Sequence, residues 1–275
     1  MNLLSELTIF TQESIDKTFE LSDSVEEKIY FHEESKLQWG CLRNFYKDPI
    51  AVKEFLQKFP IVEQSSTNSP GFQQHFSFPT MMSLKNVYKY LYNIITKYNF
   101  PHSKIENWST DCWQTMCNTH WVDMKVNAAN MIPHFDQPNM AFNIWLTKDN
   151  PAGTDFYYYK KNNKTPAYFL EQFARDEPDF VGEFIRYVVN NECDEFIEWN
   201  PYEIDTFFTD RGWHKYLTMD PEYNSVTFYP GIYFHKPAWD IRNYRKDLLR
   251  YSQVISYTYT SSQQYQLDWY EYSRQ

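Results

Sequence analysis

Apolar positions along the chain change their period near residue 108, which separates a helical part from a strand part. Asp48 and Pro49 are typical of a helix start, and the apolar stripe that follows them ends at Pro60. Residues 83–98 again repeat Val, Leu and Ile at helical spacing. The pattern therefore predicts two helices ahead of any sheet.

Beyond residue 108, segments rich in β-forming residues are separated by polar breaks, which predicts a sheet. Between residues 166 and 190 the helical spacing returns, so we expect a helical insertion within the β part. The predicted strands are 121–127, 139–146, 154–159, 204–208, 225–229, 231–235 and 251–259.

These patterns suggest one main domain with two flanking segments. Residues 1–43 are polar and acidic with a mixed apolar pattern, which predicts an N-terminal arm or helix without assigned function. Residues 44–260 form the main domain, and the polar, aromatic residues 261–275 form a C-terminal tail. The fold class that we expect is α+β.

Composition and charge narrow the function classes. The chain of 275 residues is 42% hydrophobic and 20% aromatic, which is enough material for a core. Its 36 acidic and 26 basic residues give a net charge of −10, which argues against nucleic acid as a partner. No run of 18 apolar residues and no basic, apolar start is present, so we expect a soluble, cytoplasmic protein without a membrane partner.

The sharpest chemical feature is the pair His134 and Asp136. In an extended segment, residues two apart point to the same face of a sheet, so both side chains can bind one metal ion. A surface hydrogen-bonded pair is the alternative for such a short motif. The four cysteines are irregularly placed and predict neither a disulfide framework nor a zinc site.

A third ligand candidate is His235, which ends the segment from Asn224 through the Pro230-Gly231 turn. Two histidines and one carboxylate form the facial triad that binds non-haem Fe(II) and leaves coordination positions open. The alternative for His235 is a hydrogen-bonded histidine in the interior of the sheet.

An anion-binding candidate lies near the C-terminus, where Arg250, Ser252 and Val254 share one face of a predicted strand. Arginine binds carboxylates through two parallel N–H donors, and a serine can add a hydrogen bond. Next to a facial triad, the distal carboxylate of 2-oxoglutarate is the natural anion. A structural ion pair is the alternative, and Arg242 and Arg245 could also take the role.

In their order, these features resemble the 2-oxoglutarate- and Fe(II)-dependent oxygenases, in particular a little-characterised family of the prolyl-4-hydroxylase-like branch. The resemblance spans about residues 44–258 and rests on several local motifs. They are Asn44-Phe45, Asp48-Pro49, Ser69-Pro70-Gly71, Pro133-His134-Phe135-Asp136, Gly153-Thr154 with Phe156-Tyr157, Asn224 through Tyr229-Pro230-Gly231 to His235, and Arg250-x-Ser252.

The resemblance implies a double-stranded β-helix (a jelly-roll or cupin-like core) with flanking N-terminal helices and a helical insertion. It implies that His134, Asp136 and His235 hold Fe(II) and are the catalytic residues, and that Arg250 and Ser252 bind 2-oxoglutarate. With O2 as the other co-substrate, the implied reaction is hydroxylation of an amino acid, a peptidyl side chain or another small metabolite. Arg245, which follows His235 at the family's usual distance of about ten residues, is the alternative anchor.

Other functions remain open from the residues alone. A cupin-like metalloenzyme would use the triad without 2-oxoglutarate, and a catalytically silent β-helix would serve as a binding or structural module. Asn127, Asn143, Tyr157 and Tyr233 are candidate lining residues, although core packing or a surface position is the interpretation that we favour for each of them. Acidic residues in and before the insertion, beginning with Asp155, could form a lid for a cationic substrate, and a solvated helix face is the more common alternative.

Overall fold

The fold is described from a computed structural model of the chain. The structure defines the placement of part of the chain, and for residues 72–75, 113–120 and 250 it defines the backbone alone. The described residues are 11–58, 72–75, 84–100, 113–120, 133–136, 140–148, 153–160, 165–169, 172, 206, 208–238 and 250–257.

The N-terminal segment contains a short helix and a β-hairpin. Helix α1 (Gln12–Thr18) begins after Thr11, whose side chain accepts a hydrogen bond from the backbone N–H of Ser14. Strands β1 (Glu26–His32) and β2 (Leu37–Arg43) pair in antiparallel register along their whole length. The prediction of an arm or helix did not include this hairpin.

The two predicted helices are confirmed. Helix α2 (Pro49–Leu56) has Asp48 as its N-cap, and an oxygen of this carboxylate accepts a hydrogen bond from the N–H of Ala51 at 3.0 Å. It ends before Pro60, at Leu56. Helix α3 (Lys85–Lys97) buries its Val, Leu and Ile stripe, as the spacing predicted.

The strands form two antiparallel sheets, a mixed α+β arrangement consistent with a double-stranded β-helix. The seven-stranded sheet has the order β1-β2-β8-β5-β10-β4-β3, and the three-stranded sheet has the order β7-β6-β9. The remaining strands are β3 (Phe72–His75), β4 (Trp113–His120), β5 (Met140–Trp145), β6 (Thr154–Tyr159), β7 (Trp213–Met219), β8 (Ser225–Pro230), β9 (His235–Pro237) and β10 (Arg250–Tyr257).

From β4 onward, the chain passes back and forth between the two sheets. It leaves β4 in the large sheet, joins the small sheet where His134 bridges to His235, and returns to the large sheet as β5. Strands β6 and β7 follow in the small sheet, then β8 in the large, β9 in the small and β10 in the large. The two sheets are therefore joined by many crossovers.

Two hydrophobic clusters lie on opposite faces of the seven-stranded sheet. On its outer face, the apolar stripes of α2 and α3 pack against residues such as Phe142 and Phe228. On its inner face, Ala141 and Tyr229 pack with Phe156 of the small sheet. This inner cluster joins the two sheets, and the candidate site lies at its margin.

The strand predictions had mixed outcomes. Four of them match β5, β6, β8 and β10 closely, whereas the prediction of a strand at 204–208 is wrong because Thr206 and Phe208–Asp210 are helical. Ala167 and Phe169, at the start of the predicted insertion, form β-bridges; most of the insertion and the segment 121–127 lie outside the described residues. No helix in the described part of the chain is long and apolar enough to cross a membrane.

Candidate metal centre

Backbone pairing brings His134, Asp136 and His235 together. His134 and His235 exchange two backbone hydrogen bonds, each 2.8 Å long, so the two histidines lie directly opposite one another. The N–H of Asp136 donates to the carbonyl of Gly231 at 2.8 Å. The segment is thus extended, as predicted, and it holds His134 and Asp136 against β9 and its preceding turn.

The three side chains converge as metal ligands do. One ligand atom from each residue lies within 4.8 Å of the others. Nε2 of His235 is 3.2 Å from Oδ2 of Asp136, and Nε2 of His134 is 3.9 Å from Oδ1 of the same carboxylate. Ligand atoms about 2.1 Å from a metal ion and at right angles would be about 3 Å apart, so small side-chain rotations suffice to close the set.

The orientation of His235 is fixed by its surroundings. Its Nδ1 lies 2.9 Å from the carbonyl oxygen of Tyr233, which makes Nδ1 a hydrogen-bond donor and directs Nε2 toward Asp136. The ring of Tyr229 packs edge-on against the imidazole at 4.9 Å, and the ring of Phe156 lies 6.1 Å away. A histidine held in this way is prepared to bind a metal ion through Nε2.

The charges of the site stabilise one another. Partial burial raises the pKa of Asp136, but the charge and hydrogen bond of His235 and the charge of His134 outweigh this and lower it to about 2. Burial lowers the pKa of His235, while Asp136 and the Tyr233 carbonyl raise it by more. The carboxylate is therefore ionised at neutral pH, and this is the form that binds a metal ion.

The site is open on one side. The His235 side chain is 5% exposed, whereas those of His134 and Asp136 are 34% and 38% exposed. A metal ion bound here would be anchored in the protein by His235 and would face solvent or a substrate on the side of the other two ligands. Among the described residues, these three are the His, Cys, Asp or Glu side chains that lie close enough together to hold a metal ion.

The predicted anion-binding residues lie on β10, an interior strand of the large sheet. Arg250 begins this strand and pairs with His120 of β4, while Ser252 is buried between Asn118 and Trp145. Ser252 and Val254 are on one face, as the alternation predicted. The side chain of Arg250 and all of Arg245 lie outside what is described, so the choice between them stays a prediction.

The inner face of the large sheet carries the polar residues Asn143 and Thr227 beside Val254. Val254, Asn143 and Thr227 are direct neighbours across β10, β5 and β8, and Asn143 and Val254 are partly exposed. Asn143 shares this face with Tyr229, which packs on His235. Its predicted place near the site is therefore supported by the register.

Two of the other predicted lining residues have different roles. Tyr157 lies on the opposite face of β6 from Phe156, with Nζ of Lys236 5.5 Å from its ring, so it does not line the site. Tyr233 is buried and directs its hydroxyl toward the carbonyl of Ser35, while its own carbonyl orients His235. Asn127 lies outside the described residues.

Asp155 does not belong to an acidic lid surface. Its side chain is 5% exposed, accepts a hydrogen bond from Thr218 and lies 3.7–3.8 Å from the ammonium groups of Lys215 and Lys236. A carboxylate neutralised in this way cannot attract a cationic substrate. The other acidic residues assigned to the lid lie in the segment that is not described.

The roles of Tyr229 and Tyr233 in holding His235 were missed by sequence reasoning. Tyr229 lies two residues after Thr227 on the inner face of β8, and the period of two could have pointed to it. The carbonyl of Tyr233 could not have been found, because a backbone acceptor leaves no mark in the sequence.

Comparison with known proteins adds little to this geometry. Neither a protein-family model nor a curated protein matches the chain. Among solved structures, the crystal structure of IDO from Bacillus thuringiensis is similar over 94% of this chain and 89% of that chain, with 9% identity and a TM-score of 0.32. A likeness this low shows no shared family, and the candidate centre rests on its own geometry.

Proposed function

We propose that the protein is an Fe(II)- and 2-oxoglutarate-dependent oxygenase that hydroxylates an amino acid, a peptidyl side chain or another small metabolite. The observation that carries the proposal is the convergence of His134, Asp136 and His235 from two separate chain segments. Two imidazoles and one carboxylate are the ligand set of non-haem Fe(II) oxygenases, and they leave three positions for O2 and a chelating co-substrate.

The strand order supports the proposal at the level of the fold. We infer that the two sheets form a double-stranded β-helix, because eight successive strand positions from β4 to β10 pass between them in the order such a fold requires. In this arrangement the metal ligands lie on the small sheet and face the inner side of the large one. The polar inner face of β5, β8 and β10 is then the wall against which a co-substrate lies.

The donor set and its support fit iron. Nε2 of His235 is presented by the Tyr233 carbonyl, and Asp136 is held ionised by its two histidine neighbours. Iron bound by these residues would supply O2 activation coupled to oxidation of 2-oxoglutarate to succinate and CO2. The chain's own part is to fix the ligands, to exclude water with the rings of Tyr229 and Phe156, and to leave the side of His134 and Asp136 open for substrate.

We further propose that Arg250 binds the distal carboxylate of 2-oxoglutarate, with Ser252 beside it. The support is positional: β10 begins at Arg250, and Ser252 occupies the inner face next to Trp145. A guanidinium at the start of β10 would meet a dicarboxylate whose other end is held at the metal. Localisation in the cytoplasm and a small-molecule or peptidyl substrate belong to the same proposal.

Metal binding and succinate formation test this function together. Purified protein is loaded with Fe(II) under anaerobic conditions, and bound iron is measured before O2 and 2-oxoglutarate are added. We expect one iron per chain and formation of succinate in the unmodified protein, and loss of both in His134→Ala and Asp136→Ala with the fold retained. His214→Ala is the matched control, because His214 stacks on Tyr158 on another strand and is not a ligand.

Each other outcome contradicts a specific part of the proposal. Iron binding without succinate formation or 2-oxoglutarate binding would favour a cupin-like metalloenzyme. Absence of iron binding in the unmodified protein would favour a silent binding or structural module. Unchanged iron binding in Asp136→Ala would remove this carboxylate from the ligand set.

A further inference from the structure

Oxidisable aromatic rings connect the candidate metal centre with the protein surface. The first ring belongs to Tyr229, which is 3% exposed and packs against the imidazole of His235 with a centroid distance of 4.9 Å. Tyr229 is therefore separated from a metal ion on Nε2 by the width of one imidazole ring.

The second ring belongs to Trp39 on the N-terminal hairpin. Gly40 of β2 pairs with Phe228 of β8, so Trp39 and Tyr229 are the next residues along these antiparallel strands and lie on the same face. Trp39 packs against the inner hydrophobic cluster that contains Tyr229. The hairpin thus brings an indole ring to the cluster that contains the aromatic neighbour of a candidate metal ligand.

The third ring reaches solvent. Tyr30 of β1 pairs with Trp39 and stacks on its indole, with centroids 5.3 Å apart and an interplanar angle of 17°. Tyr30 is 40% exposed, although large aromatic side chains are usually covered. The sequence of rings from the metal ligand to solvent is therefore Tyr229, Trp39 and Tyr30.

The other aromatic neighbour of His235 does not offer an equivalent route. It is Phe156, and Tyr216 lies beyond it with centroids 6.5 Å apart. Phenylalanine is much harder to oxidise than tyrosine or tryptophan, so a charge cannot rest on Phe156 on its way to Tyr216.

We propose that Tyr229, Trp39 and Tyr30 form a relay that carries an oxidising equivalent from the metal centre to the surface when O2 is activated without substrate. The inference rests on the proposed function, which supplies the oxidant. It gives the N-terminal hairpin a protective role, because the residues around the ligands are spared from oxidation.

The relay moves one electron at a time toward the metal centre. Tyr229 gives one electron and its phenolic proton to the oxygen-derived oxidant. Trp39 then reduces the Tyr229 radical, which takes up a proton again, and Tyr30 reduces the Trp39 radical cation. Tyr30 loses its proton to solvent and is restored by one electron and one proton from a thiol or ascorbate in solution.

Oxidation mapping by peptide mass spectrometry tests the relay. Iron-loaded protein is exposed to O2 and 2-oxoglutarate without substrate or reductant, and hydroxylated or cross-linked tyrosines are quantified. We expect oxidation of Tyr30 well above that of Tyr92, a partly exposed tyrosine on α3 that serves as the internal control. In Trp39→Phe, Tyr30 oxidation should fall to the level of Tyr92, and damage at Tyr229 should rise.

A second variant keeps the test valid if Trp39→Phe folds poorly. Tyr30→Phe changes only an exposed side chain, and oxidation should then accumulate on Trp39. Electron paramagnetic resonance of samples frozen during the reaction should show a tyrosyl radical in the unmodified protein that is lost in Tyr30→Phe or replaced by a tryptophan radical.

The outcomes separate the relay from the proposed function. Succinate formation with Tyr30 oxidised no more than Tyr92, or with oxidation concentrated on Tyr216, would overturn the relay and leave the oxygenase intact. Equal Tyr30 oxidation in Trp39→Phe would overturn it as well. Absence of succinate formation would refute the oxygenase, and the relay with it.

Discussion

Gly40→Ala tests whether the N-terminal hairpin is part of the sheet that supports the site. A methyl group on Gly40 would lie 2.1 Å from Cζ, 2.5 Å from Cε1 and 2.7 Å from Cε2 of the Phe228 ring. Phe228 is fully buried and packs on Phe142 and Phe100 with ring centroids 5.4 and 5.3 Å away, so it has little room to move. Strand β8 must therefore shift, or the core must be strained.

The expected loss in the free energy of unfolding is about 1–3 kcal/mol, the usual cost of overpacking a core. Urea denaturation followed by circular dichroism measures it as a lower midpoint with an unchanged m-value. Because β8 leads into Gly231, whose carbonyl accepts from the N–H of Asp136, iron affinity should fall as well.

A double-mutant cycle with Phe228→Leu provides the control. The smaller side chain leaves space for the methyl group, so the double variant should be more stable than the sum of the two single losses by about 1 kcal/mol or more. Strictly additive losses, or a Gly40→Ala variant as stable as the unmodified protein, would refute the pairing of Gly40 with Phe228.

Three further predictions follow from other parts of the structure. Arg250→Ala should raise the concentration of 2-oxoglutarate needed for half-maximal succinate formation with little change in iron binding; if Arg245→Ala has this effect instead, the assigned anchor is wrong. Burial raises the pKa of Glu27, but Lys97, Tyr98 and Tyr90 lower it by more, so the pKa in the folded protein lies below the ordinary value for glutamate. The ionised Glu27 carboxylate therefore stabilises the fold at pH values above the ordinary pKa, and this stabilisation is lost as the pH falls through the lowered pKa. Thermal unfolding should show Glu27→Gln less stable than the unmodified protein at neutral pH and equal to it in strong acid, and a constant difference would contradict this. Asn224→Ala removes two hydrogen bonds to the backbone of Tyr46 at a residue with a φ of 56°, so it should cost about 1–3 kcal/mol, and Asn224→Gly, which tolerates this φ, should cost less in urea titrations.

Much of the fold was predictable where local pattern and tertiary packing agree. The stripe of α3 is buried as its spacing indicated, and β6 has the predicted limits, Thr154 and Tyr159. The same holds for the candidate ligands, because the period of two that relates His134 and Asp136 is a property of any extended chain.

The hairpin was not predictable by the same reasoning. Among the described strands, β1 pairs with β2 alone, at the edge of the sheet. Its sequence EEKIYFH carries charges where a buried strand has apolar residues. Gly40 is explained by the Phe228 ring opposite, which is distant in sequence. Strand β7 mixes exposed Lys215 and Thr218 with aromatic residues around an irregular pairing, which hides its alternation.

The most direct test of the central claim is an anaerobic titration of the metal-free protein with Fe(II) and then 2-oxoglutarate, followed by visible absorption. The account predicts a weak charge-transfer band that appears only when both are present, that is lost in Asp136→Ala, and that needs more 2-oxoglutarate in Arg250→Ala. Bound iron without this band, or the same band in Asp136→Ala, would contradict the assignment of His134, Asp136 and His235 as a 2-oxoglutarate-dependent iron centre.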